Sequence, residues 1–161
     1  MDDVLEEILE QGPEEEIREY LIFTVDNIEF GIDIRLVQEI IEYQEASPIP
    51  NMLDFCRGII NIRGTIVPVI DMRRKLGFET REYDDRSCII VIMLGSELVG
   101  MIVDSVQDVA RIAPDQLSDS PVMLSKGDVK PYTAKIANIN GKIKQIISVE
   151  AVFDVELDGV E

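Results

Sequence analysis

Chemistry near neutral pH usually draws on a histidine, a reactive cysteine, a positioned pair of carboxylates or a glycine loop that cradles phosphate, and this sequence is poor in all of them. It contains no histidine. Histidine is the commonest general base, phospho-acceptor and zinc ligand, so a phosphotransfer domain and a histidine-based hydrolase are excluded. The two cysteines, Cys56 and Cys88, are far apart and lack CxxC spacing, which speaks against a structural zinc site. Cys56 follows Phe55, and Cys88 opens the run Cys88-Ile89-Ile90-Val91-Ile92; both are expected to be reduced residues of an apolar core. Carboxylates abound, 32 Asp and Glu against 15 Lys and Arg, but no context marks two of them as a catalytic pair. No glycine-rich stretch matches a phosphate loop. The expectation is therefore no catalytic residue, no metal and no cofactor, with an enzyme using surface carboxylates as the rival class.

What remains is surface chemistry. A net charge of −17 opposes phosphate backbones and anionic lipid head groups, so neither nucleic acid nor a membrane surface is an expected partner. The acidic start Met1-Asp2-Asp3 does not resemble a secretory signal, and no stretch approaches the roughly 20 apolar residues of a membrane helix. A soluble, intracellular protein is expected. The first 16 residues form an acidic N-terminal segment, in which Val4, Leu5, Ile8 and Leu9 suit one face of a short helix; 154–161 form an acidic C-terminal tail.

The elements that position this surface read as short β-branched runs separated by turn residues. Strands are predicted at Tyr20 to Val25, Glu29 to Asp33, about Gln38 to Tyr43, Arg57 to Ile62 and Thr65 to Ile70, the last two turning about Arg63-Gly64. Asp71 is placed to cap a short helix from Met72 to Leu76, stopped by Gly77. The order then repeats. At an offset of 69, Leu21-Ile22-Phe23-Thr24-Val25 falls on Ile90-Val91-Ile92-Met93-Leu94, Gly31 on Gly100, and Val37-Gln38-Glu39-Ile40 on Val106-Gln107-Asp108-Val109. At an offset of 77, Ile59-Ile60-Asn61-Ile62-Arg63-Gly64 falls on Ile136-Ala137-Asn138-Ile139-Asn140-Gly141, and Asp71 on Ser148. The change of offset places a longer loop between about Ala113 and Tyr132, where Pro114, Pro121, Gly127 and Pro131 stand. The fold expected is mostly β: two pseudo-repeated five-stranded barrels with short helices, one over about 20–77 and the other over about 87–153, packed as one folding body.

The stretch Gly58-Ile59-Ile60-Asn61-Ile62-Arg63-Gly64, then Val67-Pro68-Val69-Ile70-Asp71, the run Val99-Gly100-Met101-Ile102-Val103-Asp104-Ser105-Val106, and Ile34-Arg35-Leu36-Val37-Gln38-Glu39-Ile40 together resemble the CheW family of bacterial chemotaxis coupling proteins. The resemblance covers about residues 17 to 153, in order and spacing. It implies SH3-like barrels and a non-catalytic adaptor that couples methyl-accepting chemoreceptors to the histidine kinase CheA. The implied partners are the cytoplasmic tip helices of the receptors and the CheA regulatory domain. The implied location is the cytoplasm, at the membrane only through receptor arrays, with a monomer when isolated. A related scaffold whose output is not motility would use the same surfaces.

Carried over residue by residue, the resemblance implies a receptor-binding groove of Leu21, Ile34, Val37, Ile40 and Val106, and a kinase-coupling surface of Glu39, Arg57 and Arg63. Val37 and Val106 are equivalent in the repeat, which suits two sides of one groove for an amphipathic helix. Leu21 and Ile40 are the two whose burial for packing alone is expected. Two departures fall in the second copy: Lys135 stands where Gly58 stands in the first, and Ser148 where the first has Asp71.

Overall fold

The computed structural model describes residues 17–119 and 132–153. The acidic terminal segments and most of the predicted loop up to Tyr132 lie outside the described residues. Strands β1 (Arg18–Val25) and β2 (Ile28–Asp33) lead through a 3-10 turn at Ile34–Leu36 to β3 (Val37–Glu42). The hairpin of β4 (Cys56–Ile62) and β5 (Thr65–Asp71) follows, then helix α1 (Met72–Lys75). The second copy runs β6 (Cys88–Leu94), β7 (Glu97–Val103), β8 (Ser105–Ile112), a 3-10 turn at Pro114–Gln116, β9 (Leu117–Asp119), β10 (Thr133–Ile139), β11 (Lys142–Ile147) and helix α2 (Val149–Phe153). The predicted strands are all present; β9 lies in the stretch expected to be loop, and its three residues carry too little pattern to reveal a strand.

The sheets do not follow the halves of the sequence. One is ordered β8-β1-β2-β11-β10-β9 and the other β3-β6-β7-β5-β4. Each takes the first two strands of one repeat and the later strands of the other. The registers repeat as well: Val37 faces Ile92 and Ile40 faces Ile90, while Val106 faces Phe23 and Val109 faces Leu21. The parallel pairs Val69 with Gly100 and Ile146 with Gly31 are equivalent in the same way. The contiguous division at about 77 and 87 is thus corrected: the repeats exchange strands, and each sheet needs both. The physical reason the sequence hides this is that β3 presents the same alternation whether it pairs with β1 or with its equivalent, β6.

Both faces are covered from Tyr20 to Phe23 of β1 and from Ile89 to Ile92 of β6, which is why those runs are continuously apolar. Leu21, Phe23 and Val25 join Ile90 and Ile92 in a large cluster between the sheets, with Phe30, Ile32, Met101 and Val152. On the opposite faces, Ile89 and Val91 fill one sheet's own core with Val67 and Val69, and Tyr20 and Ile22 fill the other's with Ile112 and Ala137.

Both helices are capped at equivalent places. Asp71 Oδ1 accepts from the Arg73 amide at 3.0 Å, and Ser148 Oγ accepts from the Ala151 amide at 3.2 Å. Serine caps as aspartate does, so this departure leaves the device intact. The Asp71 amide donates to the Phe55 carbonyl and the Ser148 amide to the Tyr132 carbonyl, each at 2.7 Å.

The other departure changes the backbone. After β3 the chain returns so that Ser47 bridges Ile59, closing the sheet onto its own edge by hydrogen bonds of 2.8 and 2.9 Å. Gly58 has φ of +138°, and a Cβ there would sit 2.2 Å from the Ser47 carbonyl oxygen. Neither the conformation nor the space admits a side chain. Lys135 keeps the strand bulge without positive φ, and its Nζ donates to Asp119 Oδ1 at 2.7 Å on the crossing strand. Gly58→Ala is therefore expected to cost about 2–4 kcal/mol from strain and overpacking together, read as a lower urea midpoint. Lys135→Ala, which removes only an exposed pair, should cost about 0–1 kcal/mol.

Candidate functional site

Strand β3 alternates half-buried and exposed positions from Val37 to Glu42. This alternation turns Val37, Glu39 and Ile41 inward and Ile40 outward, where 41% of it is exposed. Ile40 is thus not a packing residue, contrary to expectation. Leu21 is, at 3% exposed within the cluster between the sheets, so it can support a groove but offers a partner almost no surface. Ile34, Val37 and Val106 lie between these extremes, half-buried at the rim of that same cluster. Val37 and Val106 belong to β3 and β8, which are edge strands of the two sheets. The fold therefore brings three of the five groove candidates to one apolar rim, buries the fourth beneath it and exposes the fifth.

The charged candidates separate. Arg63 sits at φ of +49° in the β4–β5 turn beside Gly64, and Asn61 Oδ1 accepts from the Gly64 amide at 2.9 Å. Its Nη2 reaches Glu39 Oε2 on β3, so the ion pair links the two edge strands of one sheet. Arg63 remains 76% exposed in its side chain. Arg57 instead lies over the ring of Tyr83 at 5.5 Å. Tyr83 stacks on Tyr43 at 4.4 Å and donates its hydroxyl to Asp71 Oδ2 at 2.7 Å. Burial, then the Asp71 carboxylate that accepts this proton, push the Tyr83 phenol up, so it stays a neutral donor. Arg57 is thus tied by a cation–π contact to the link between the repeats.

Sequence reasoning missed three groupings. The first is a buried charge knot. Arg73, 5% exposed, donates from Nε and Nη2 to the two oxygens of Asp104 at 3.0 and 2.8 Å. It donates from Nη1 to the Glu79 carbonyl at 2.7 Å and lies 3.2 Å from Asp26 Oδ1. Asp104 also accepts from the Asp26 amide at 2.7 Å, so the knot ties α1 and the β7–β8 junction to the β1–β2 turn. The second is Lys75, whose Nζ lies 4.0 Å from the Phe55 ring centre and 5.6 Å from that of Tyr132, equivalent residues at the offset of 77. The third is a hollow of about 220 Å³ lined by Ile17, Arg18, Glu19, Asp33, Ile34, Arg35 and Arg111. All three join residues distant in sequence, and no local spacing announces them.

Among the described residues there is no grouping of three or more His, Cys, Asp and Glu placed to hold a metal, and no helix long and apolar enough to cross a membrane. The features the fold positions with care are an apolar rim, an exposed arginine on a braced turn and an exposed isoleucine on an edge strand.

These features define a class of protein built from two strand-exchanging sheets whose edge strands and turns carry its distinctive residues. A family model described as the CheW-like domain matches residues 19–157, and the chain belongs to that family. It is 43% identical over 104 residues to the chemotaxis protein CheW of Klebsiella aerogenes, a match spanning 65% of this chain and 63% of that one. The chemotaxis protein CheW of Rhizobium meliloti is 30% identical over 139 residues, spanning 86% of this chain and 89% of that one. Among solved structures, the scaffolding protein TtCheW from Thermoanaerobacter tengcongensis superposes with a TM-score of 0.79 at 28% identity, covering 88% of this chain and 96% of that one. The chain thus stands among chemotaxis scaffold proteins.

Proposed function

We propose that this chain is a non-catalytic adaptor of the cytoplasm that joins the tip helices of a methyl-accepting chemoreceptor to the regulatory domain of a CheA-type histidine kinase. The observation that supports this reading most is the bond between Glu39 and Arg63. With Arg63 so exposed, the pair contributes about 0–1 kcal/mol to the fold; what it does is hold a guanidinium outward on a two-residue turn. The apolar rim of Ile34, Val37 and Val106 is the second surface, suited to the apolar stripe of a helix. Receptor state is then passed on by the relative placement of two bound partners, with no bond made or broken.

Titration calorimetry against the regulatory domain of the cognate kinase, and separately against a soluble receptor fragment, tests this. Arg63→Ala is expected to weaken the kinase complex about tenfold while shifting stability by less than about 1 kcal/mol. Val37→Lys should weaken the receptor complex by at least as much, because a lysine head at the rim must be desolvated. Absence of binding to both partners by the folded wild-type chain would overturn the reading.

A further inference from the structure

The hollow at the start of β1 is unusual for this protein. Three of its 15 basic residues, Arg18, Arg35 and Arg111, line it with only Glu19 and Asp33 as acids, in a chain of net charge −17. The three come from different elements: Arg18 from β1, Arg111 from β8, and Arg35 from the 3-10 turn after β2. Arg35 is fixed against Asp33, with Nε and Nη2 on its carboxylate at 3.1 and 2.7 Å. Burial alone would push the Asp33 carboxyl up, but the side-chain and backbone hydrogen bonds from Arg35 outweigh it and hold the group below its ordinary value. Arg18 and Arg111 form no salt bridge with any described acid. Arg111 is the cross-strand neighbour of Glu19, yet the two do not pair.

The fold does not require these arginines. In the equivalent corner of the other sheet, the offset of 69 places Ser87 for Arg18 and Asp104 for Arg35, and Glu42 for Arg111. None of those three equivalent positions carries a cation, so the repeat itself does not call for arginine there. The cationic corner is also continuous with the apolar rim, because Ile34 belongs to both. Arg111 stands two residues from Val109 on β8, so both side chains leave the same face, and Val109 is 44% exposed.

We propose that the Arg18–Arg35–Arg111 hollow receives a carboxylate side chain of the helix bound along Ile34, and so decides in which direction that helix runs along the rim. This rests on the receptor reading above. The partner has a stated chemistry: an amphipathic helix with an Asp or Glu flanking its apolar stripe. Guanidinium groups take carboxylates in paired hydrogen bonds, and a rim whose Val37 and Val106 exchange places under the repeat needs some such asymmetric element to tell one direction of the helix from the other.

The test is the affinity of the soluble receptor fragment for wild type, Arg18→Glu/Arg111→Glu and the milder Arg18→Gln/Arg111→Gln, at low and at moderate salt, with the kinase regulatory domain as the second ligand. Because both arginines are exposed, the variants should keep the wild-type unfolding midpoint; the Gln pair carries the test should the Glu pair not fold. The expected result is a loss of at least about tenfold for the receptor fragment, shrinking as salt rises, with kinase affinity within about twofold. Receptor affinity unchanged in both variants, or falling equally for both ligands, overturns the role of the hollow while leaving the adaptor reading in place. No binding of the receptor fragment by wild type overturns both.

Discussion

Cut within the polar link 79–86, the protein will yield two fragments that are each unfolded alone and that regain one cooperative fold when mixed. The first fragment would keep β1–β2 and β4–β5 as hairpins but lose β8 from beside β1, β11 from beside β2, β6 from beside β3 and β7 from beside β5. The second would keep β6–β7 and the β9–β10–β11 meander, with no partner for β8. Isolated two-stranded hairpins are marginal in water. The largest core cluster draws on both fragments, through Leu21 and Phe23 on one side and Ile90 and Ile92 on the other. Far-UV circular dichroism and thermal melts of each fragment, and of their equimolar mixture, check this. A cooperative melt from either fragment alone would show that a half can close its own sheet, and the exchanged topology would be wrong.

The same topology constrains how an adaptor of this shape can signal. Both sheets bury their inner faces in one cluster, so the rim of Ile34, Val37 and Val106 and the turn of Arg63 belong to one body with a shared core. A tightly packed interior resists graded deformation. On the proposed reading the adaptor would act as a fixed angle between two ligands, and the change that carries information would lie in how a partner seats on its surface.

The strands were legible because their signal is local. Apolar β-branched runs, positive-φ turns at Asp26-Asn27, Arg63-Gly64 and Asn140-Gly141, and a cap at Asp71 each depend on a few neighbouring residues. The repeat was legible for the same reason, and its two offsets reproduce the observed registers. Which copy of a strand pairs with which is a non-local choice, and two equivalent partners make the pattern silent about it. Site residues divided along the same line. Glu39 and Arg63, read from the sequence only as members of one surface, meet in an ion pair. Leu21 is buried as expected, but for Ile40 the apolar type alone could not tell the face, because a bulge between Val37 and Glu39 sets which residues of β3 point out. Arg73 and Asp104 meet across 31 positions, and the hollow joins Arg18 and Arg35 to the distant Arg111, beyond the reach of spacing.

Arg73→Met should be the most damaging single substitution among these groups, lowering stability by about 3–5 kcal/mol. Methionine matches much of the stem, so the loss is electrostatic. Asp104, 7% exposed, would keep its charge with only Arg81 nearby, at 3.3 Å and half exposed. The Glu79 carbonyl would lose its donor, and Asp26 its cation. A buried pair is costly to break from one side because the remaining charge stays desolvated, whereas removing both charges leaves less behind. The double variant Arg73→Met/Asp104→Asn is accordingly expected to recover a measurable part of the loss, since the neutral amide can still accept the Asp26 amide proton that Asp104 now takes at 2.7 Å. Urea unfolding of the two single variants and the double gives the coupling directly. Strictly additive losses would mean that the two side chains stabilise the fold independently. A coupling that offsets a large share of the single-variant cost would identify the knot as the fastening that holds α1 and the β7–β8 junction to the β1–β2 turn, and with them the two sheets in register.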